Sequence, residues 1–256
     1  MSIETANKLN HLFTHHDMQN GLFFSEWLKK EGYSDQLLKK YRDSGWLVAL
    51  SKGVMYQSGT KPTAYNALSS YNQQLSKDFR VAAHSALELT GYNHYVPMGK
   101  PILMVAYPKG QRKPLWMSSD VFDKTFKLFS TDIFANVKTT MMETDGITVQ
   151  TSVPEQAFLE CLSLAQQLYN YMDLYYIMEQ LTTLRSGILQ EILEGTKSLS
   201  VKRMFLYMAE KSGHTWFEDL DPSKIQLGES KIQLVKNGVY ISKYKITVPK
   251  ELNEYD

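Results

Sequence analysis

A single cysteine, Cys161, is all the thiol this chain carries. It sits in an apolar run of helical period, so no disulfide framework and no cysteine-based zinc site can form within one chain, and a reducing cytoplasm is the expected setting. Long apolar runs are missing too. The longest are strand-sized, such as Ile102 to Tyr107, and the first residues lack a basic segment followed by an apolar stretch. Neither a signal peptide nor a membrane span is expected. Net charge is almost absent, at +1 from 28 basic and 27 acidic residues, so attraction to a polyanion has to come from local patches. Internal repeats and low-complexity segments are not evident, and the apolar share of 43% is that of an ordinary folded chain.

Signatures of catalysis are also lacking. His11 and His15 have ligand spacing on a helix, with His16 beside them, but no His-Glu-x-x-His, cysteine or carboxylate cluster completes a metal site. His84, His94 and His214 are scattered without a nucleophile partner, and packed histidines are expected. Glu218, Asp219 and Asp221 cluster in an Asp-Leu-Asp-Pro loop that reads as a polar turn. Gly195-Thr-Lys-Ser echoes the end of a phosphate-binding loop, yet the first glycine of that motif is absent at the required spacing. No enzyme, no cofactor and no metal is expected.

What the chain does have is concentrated between Gly21 and Ser58. Ser25 reads as an N-cap before Glu26-Trp27-Leu28-Lys29-Lys30, and Gly32 closes that helix. Ser34 or Asp35 caps a second helix whose Leu37, Leu38 and Tyr41 fall on one face, leaving Gln36, Lys39, Lys40, Arg42 and Asp43 on or beside the other. Trp46 to Leu50 and Val54 to Tyr56 then form a hairpin across Ser51-Lys52-Gly53. Helix, turn, helix and hairpin make a winged helix-turn-helix, which places its second helix in the DNA major groove. Seven basic residues against four acidic ones lie between Ser25 and Lys61, so the local charge favours DNA. The expected DNA-binding residues are Ser34, Gln36, Lys39, Lys40, Arg42 and Lys52, with Gln and Lys suited to base edges and Lys and Arg to phosphate oxygens.

Two further basic clusters could extend a phosphate-contacting surface or simply be solvated: Lys100, Lys109, Arg112 and Lys113, and Lys197, Lys202, Arg203 and Lys211. The tyrosine-rich stripe Tyr169, Tyr171, Met172, Tyr175, Tyr176 is expected in a core or interface.

The remainder reads as a mixture. A first helix covers 4 to 16, and others run from Pro62 to Ser76 and from Arg80 to Leu89. The Gly, Pro, Asn and Tyr content between Gly91 and Pro101 suggests a boundary near Tyr92. Strands follow at Ile102 to Tyr107, Thr125 to Phe129 and Ile147 to Thr151. Ser152-Val-Pro-Glu155 then reads as a capping box opening a helical region, and an Asn237-Gly238 turn as the centre of a closing hairpin. The expected class is α+β, with a winged helix-turn-helix domain over 1–92 and a mixed α/β C-terminal domain over 93–256.

Several of these stretches carry a family resemblance. LLKKYRDSGWLVALSKGVMYQSG, the Ser85-Ala-Leu-Glu-Leu-Thr-Gly91 helix end, Thr151 to Glu160, VKRMFLYMAEKSGHTWFEDLD and GVYISKYKITVP together span nearly the whole chain. In them it resembles the AbiEi family, antitoxins of bacterial type IV toxin-antitoxin systems that act in abortive infection and phage defence. The middle stretch departs from the family in reading Ser-Val-Pro-Glu and in having Gln156 where a basic residue is common, so no role transfers to that position. The resemblance implies a cytoplasmic antitoxin whose winged helix binds inverted repeats of double-stranded DNA in its own promoter as a repressor. It also implies that the C-terminal domain neutralises a nucleotidyltransferase-like toxin, with or without a direct complex, and it offers no catalytic residues. A different class remains open: a protein-interaction module that blocks a partner toxin directly without binding DNA.

Overall fold

The computed structural model describes residues 3–14, 20–92 and 99–255. The segment just after Tyr92, where the domain boundary is expected, lies outside the described residues. The architecture is α+β and gathers into two compact units. One comprises Met1–Val81, Val96–Ser130 and Met141–Gln150, and the other Ala82–Tyr95, Thr131–Thr140 and Thr151–Asp256.

The first unit opens with α1 (Ile3–Thr14), β1 (Phe23–Phe24), α2 (Ser25–Lys30), α3 (Asp35–Asp43), β2 (Leu47–Ser51) and β3 (Val54–Gln57). The three strands form one sheet in the order β1-β3-β2, antiparallel throughout. Leu9, Leu12, Phe23, Leu28, Tyr33, Leu38, Tyr41, Leu47 and Met55 bury together between the helices and this sheet. The helix α4 (Ala64–Leu75) fixes β1 from the other side by side-chain bonds. Gln74 Oε1 accepts the Phe24 N–H at 3.0 Å, its Nε2 donates to the Leu22 carbonyl at 2.7 Å, and Ser70 Oγ accepts the Leu22 N–H. These buried amide and hydroxyl groups do for a two-residue strand what a further strand would do, satisfying a backbone that would otherwise be stranded from water.

A five-stranded sheet falls mostly in this unit, with β4 (Arg80–Val81), β5 (Ile102–Ala106), β6 (Thr125–Phe129), β7 (Thr139–Thr144) and β8 (Ile147–Ser152) in the order β6-β5-β4-β8-β7. β5 runs parallel to β6 and antiparallel to β4. The helix expected from Arg80 therefore starts later, because Arg80 and Val81 pair with Ala106 and Val105. β7 was not expected as a strand: it is an edge with no residue fully buried, and its TTMMET sequence lacks the apolar alternation of a half-buried strand.

The second unit contains α5 (Ala83–Leu89), α6 (Pro154–Ser163), α7 (Tyr171–Gln180), α8 (Ser186–Gly195), α9 (Leu199–Ser212) and α10 (Thr215–Glu218). A small sheet follows, made of β9 (Ile232–Gln233), β10 (Val239–Ile241) and β11 (Ile246–Val248), and then α11 (Lys250–Glu254). The expected Asn237-Gly238 hairpin does not form. β10 pairs antiparallel with β11 across the Ser242–Lys245 turn, and β9 pairs parallel with β11. Gly238 is needed for a different reason, since a Cβ there would lie 2.1 Å from the Val248 carbonyl oxygen.

The expected capping box at Ser152 is also replaced. Val153 occupies the N-cap of α6 with no side-chain bond, and Pro154 starts the helix. Ser152 Oγ donates instead to the buried Glu160 carboxylate, which also accepts the Ala83 N–H at 3.0 Å. Glu155 takes a bidentate pair from the Arg185 guanidinium, both bonds at 2.9 Å, plus the Arg185 N–H. Burial alone would raise the Glu155 carboxyl, but these bonds outweigh it and hold its pKa below the ordinary range. A depressed folded pKa means stabilisation that is present above the unfolded glutamate value of about 4.3 and lost as pH falls through the lower folded value. Glu155→Gln is expected to remove that part of the acid sensitivity, so its thermal midpoint should change less than wild type's between neutral pH and acid.

Candidate nucleic-acid interface

Two helices and a hairpin build the candidate surface, and each junction is closed by backbone bonds. α2 ends with Gly32 N–H donating to Lys29 O and Tyr33 N–H to Leu28 O; α3 ends with Gly45 N–H donating to Arg42 O and Trp46 N–H to Tyr41 O. Both are the paired 5→2 and 6→1 pattern that stops a helix sharply. The turn between the helices is tied down on α1, because the Tyr33 hydroxyl donates to Lys8 O and Lys8 Nζ to Gly32 O. Ser34 then caps α3 through its hydroxyl, which accepts the Leu37 N–H at 3.2 Å. The N-cap expected at Ser25 falls instead on Phe24, and Ser25 is the first helical residue.

With Leu38 and Tyr41 buried, the remaining face of α3 is free: Gln36, Lys39, Lys40, Arg42 and Asp43 are all exposed. The one acid in the first turn, Asp35, is engaged by Lys29 at 2.9 Å. That exposed pair adds little stability, but it offsets a negative charge where a phosphate would approach. Among the described residues, no ion pair engages Lys39, Lys40 or Lys52, so their charge is available to a ligand. Arg42 Nη1 contacts the Met55 sulfur of β3 at 3.4 Å, which aligns the end of α3 with the hairpin.

The hairpin tip is held as firmly. The Ser25 N–H donates to the Gly53 carbonyl at 2.8 Å, tying the β2–β3 turn to the start of α2. Gly53 has φ +76°, and a Cβ there would stand 2.8 Å from Ser25 Oγ, so alanine would be strained both by conformation and by contact. A register shift between Ala49 and Ser51 bends the edge strand just before Lys52, which is exposed at the tip. The structure thus brings Ser34, Gln36, Lys39, Lys40, Arg42 and Lys52 onto two adjoining, well-anchored elements. Trp46, 46% exposed between α3 and β2, is a neighbour that the sequence reading made the first residue of the strand, which begins at Leu47.

Lys197, Lys202 and Arg203 fare differently. Lys197 is exposed. Lys202 and Arg203 lie inside the second unit at 3% and 0% exposure. Lys202 Nζ donates to Gln226 O and Glu194 O, and burial lowers its pKa. Arg203 spends its whole guanidinium on the carbonyls of Leu227, Gly228, Ser230 and Lys245. Neither can reach a phosphate as folded. Every residue of α9 from Val201 to Ala209 is buried, and charged side chains on such a helix read from sequence as a solvated face.

Of the remaining candidates among the described residues, His11, Glu218, Asp219 and Tyr176 are exposed and the others are packed or capping. His84 Nδ1 bonds the Tyr169 hydroxyl at 2.7 Å, and His214 Nε2 the Met178 carbonyl at 2.7 Å, while His15, His16 and His94 lie outside the described residues. Asp221 caps the short turn Pro222–Lys224, and Tyr169, Tyr171 and Tyr175 are buried. Among the described residues no group of three or more His, Cys, Asp or Glu side chains could hold a metal ion, and no helix is long and apolar enough to cross a membrane.

Residues 5–98 match the family described as "Transcriptional regulator, AbiEi antitoxin N-terminal domain", and residues 100–249 the one described as "Transcriptional regulator, AbiEi antitoxin, Type IV TA system". The chain belongs to the AbiEi antitoxin family. The exposed basic helix and the anchored hairpin both fall within the N-terminal AbiEi match, and the buried Arg203 within the second. A comparison with curated proteins finds no match. Among solved structures, the fold is similar to that of the RV2827C protein from Mycobacterium tuberculosis, at TM-score 0.64 and 15% identity, covering 97% of this chain and 92% of the other. That likeness concerns fold alone.

Proposed function

We propose that this AbiEi family member is an antitoxin that also represses its own operon, binding promoter DNA through a winged helix formed by α2, α3 and the β2–β3 hairpin. The observation that carries the reading is the exposed α3 face: Gln36, Lys39 and Lys40 stand clear of the core on a helix capped at one end by Ser34 and locked at the other by Gly45. Gln36, Lys39 and Lys40 would read base edges, and Arg42 and Lys52 would neutralise phosphates. The antitoxic role belongs to the chain beyond residue 92, directed against a nucleotidyltransferase-like toxin, and the protein works in the cytoplasm. The long, well-formed core of the second unit supports a role of its own for that region, and the family description names regulator and antitoxin together.

The test is binding to a duplex from the chain's own promoter, measured over a salt series. Lys52→Ala is expected to weaken binding by a similar factor on every sequence and to reduce the log-log salt slope by about 0.9. Gln36→Ala should instead change the preferred sequence, by about 1 to 3 kcal/mol at one base pair. If both variants bind as wild type does, α3 and the hairpin are not the docking face.

A further inference from the structure

The second basic cluster lies outside the winged helix in sequence but in the same compact unit. From Lys100 to Lys113 the chain carries Lys100, Lys109, Arg112 and Lys113 with no acid among them. Lys100 is occupied, donating to the Asp120 carbonyl at 3.1 Å. Arg112 and Lys113 are exposed and, among the described residues, make no ion pair. Leu115, two residues on, is 87% exposed.

The base of this loop is rigid. The next residue, Trp116, is 4% exposed and packs against Phe24 at 5.9 Å, Tyr71 at 5.5 Å, Phe122 at 5.8 Å and Phe126 at 5.6 Å between ring centroids. The single turn Leu115–Ser118 that holds this indole also packs on β2, the edge strand that leads to Lys52 at the hairpin tip. The loop therefore belongs to the same compact unit as α3 and the hairpin, although it falls within the second family match.

We infer that the Arg112-Lys113 loop is a second duplex-contacting element, which takes backbone phosphates flanking the stretch reached by α3. The inference rests on the proposed DNA-binding function. Three observations favour a polyanion over plain solvation. Arg112 and Lys113 are exposed and make no ion pair among the described residues. The cations sit on an anchored base, so less freedom is lost when a phosphate is bound. And the turn they lead into, Leu115–Ser118, packs on β2, the strand that leads to Lys52. Each phosphate contact adds counterion release without any preference among bases.

The experiment uses the full chain and a random-sequence duplex several helical turns long, followed by fluorescence anisotropy over a salt series, with thermal midpoints recorded for every variant. Arg112→Ala with Lys113→Ala is expected to lower the log-log salt slope by about 1.8, two contacts at about 0.9 each, while the preference for promoter over random duplex stays as in wild type. Arg112→Lys with Lys113→Arg keeps the charge and should keep the slope. If the alanine pair matches wild type in slope while Lys39→Ala with Lys40→Ala loses binding, the loop inference is overturned and the function of α3 stands. If the charge-keeping pair loses as much as the alanine pair, charge is not the cause and the inference falls. If wild type binds neither random nor promoter duplex, the DNA-binding reading itself fails and takes this one with it.

Discussion

Replacing Arg203 with methionine is expected to destabilise the second unit by about 3–5 kcal/mol, because it strands carbonyls that no water can reach. Arg203 is the largest fully buried side chain among the described residues. Its five donor contacts go to four carbonyls, those of Leu227, Gly228, Ser230 and Lys245. The Lys245 carbonyl keeps the Ile232 N–H at 2.9 Å, which leaves three acceptors in need of partners at about 1–3 kcal/mol each. For a chain of this size the loss corresponds to a fall of about 6–20 °C in thermal midpoint. Lysine should not rescue it: a point-like ammonium cannot serve carbonyls spread over the planar fork that arginine fills. A surface phosphate contact would behave in the opposite way. Its loss would leave the midpoint unchanged and lower the salt slope of DNA binding by about 0.9, so calorimetry on Arg203→Met and Arg203→Lys separates the two roles directly.

The same residue shows where sequence reading stops. Local signals were legible wherever one element carried its own information. α3 announced itself through Ser34 and the Leu37-Leu38-Tyr41 stripe, and the structure builds the helix on those residues. The Lys52-Gly53 turn was equally visible, since its glycine and the flanking apolar runs lie within a few residues of each other. The interior roles were not visible because they depend on partners far along the chain. Glu155 looks like a capping-box acid until Arg185, thirty positions on, is brought to it. Asn237-Gly238 has the composition of a hairpin turn, yet the strand after it prefers β11 across Ser242–Lys245, and the glycine serves close packing on Val248. Arg80 and Val81 lie in a helical pattern but are claimed by β5. In each case a tertiary bond outweighed a local preference, which amounts to only a fraction of a kcal/mol to about 1 kcal/mol per residue. The Arg112-Lys113 loop shows the reverse: its charge was plain in the sequence, and the packing of the turn that follows it, Leu115–Ser118, on β2 was not.

Reversing charge on α3, with Lys39→Glu and Lys40→Glu together, is expected to remove duplex binding at ordinary salt while leaving the fold intact. Both side chains are exposed and without an ion pair among the described residues, so substitution should change stability by no more than about 0.5 kcal/mol. Losing two phosphate or base-edge cations already costs about 60-fold in affinity at 0.1 M salt, from a slope of about 0.9 per contact, and two added carboxylates repel the backbone further. Gel shift on promoter duplex and a promoter-fused reporter read the effect in vitro and in cells. The decisive comparison is with toxin neutralisation. If antitoxicity resides beyond residue 92, cells carrying the Lys39→Glu, Lys40→Glu variant lose repression yet survive toxin expression, whereas Arg203→Met, with the α3 face untouched, loses protection first. Loss of protection in the charge-reversed variant at equal protein level would instead mean that the winged helix itself meets the toxin. The α3 face would then be a protein-docking surface.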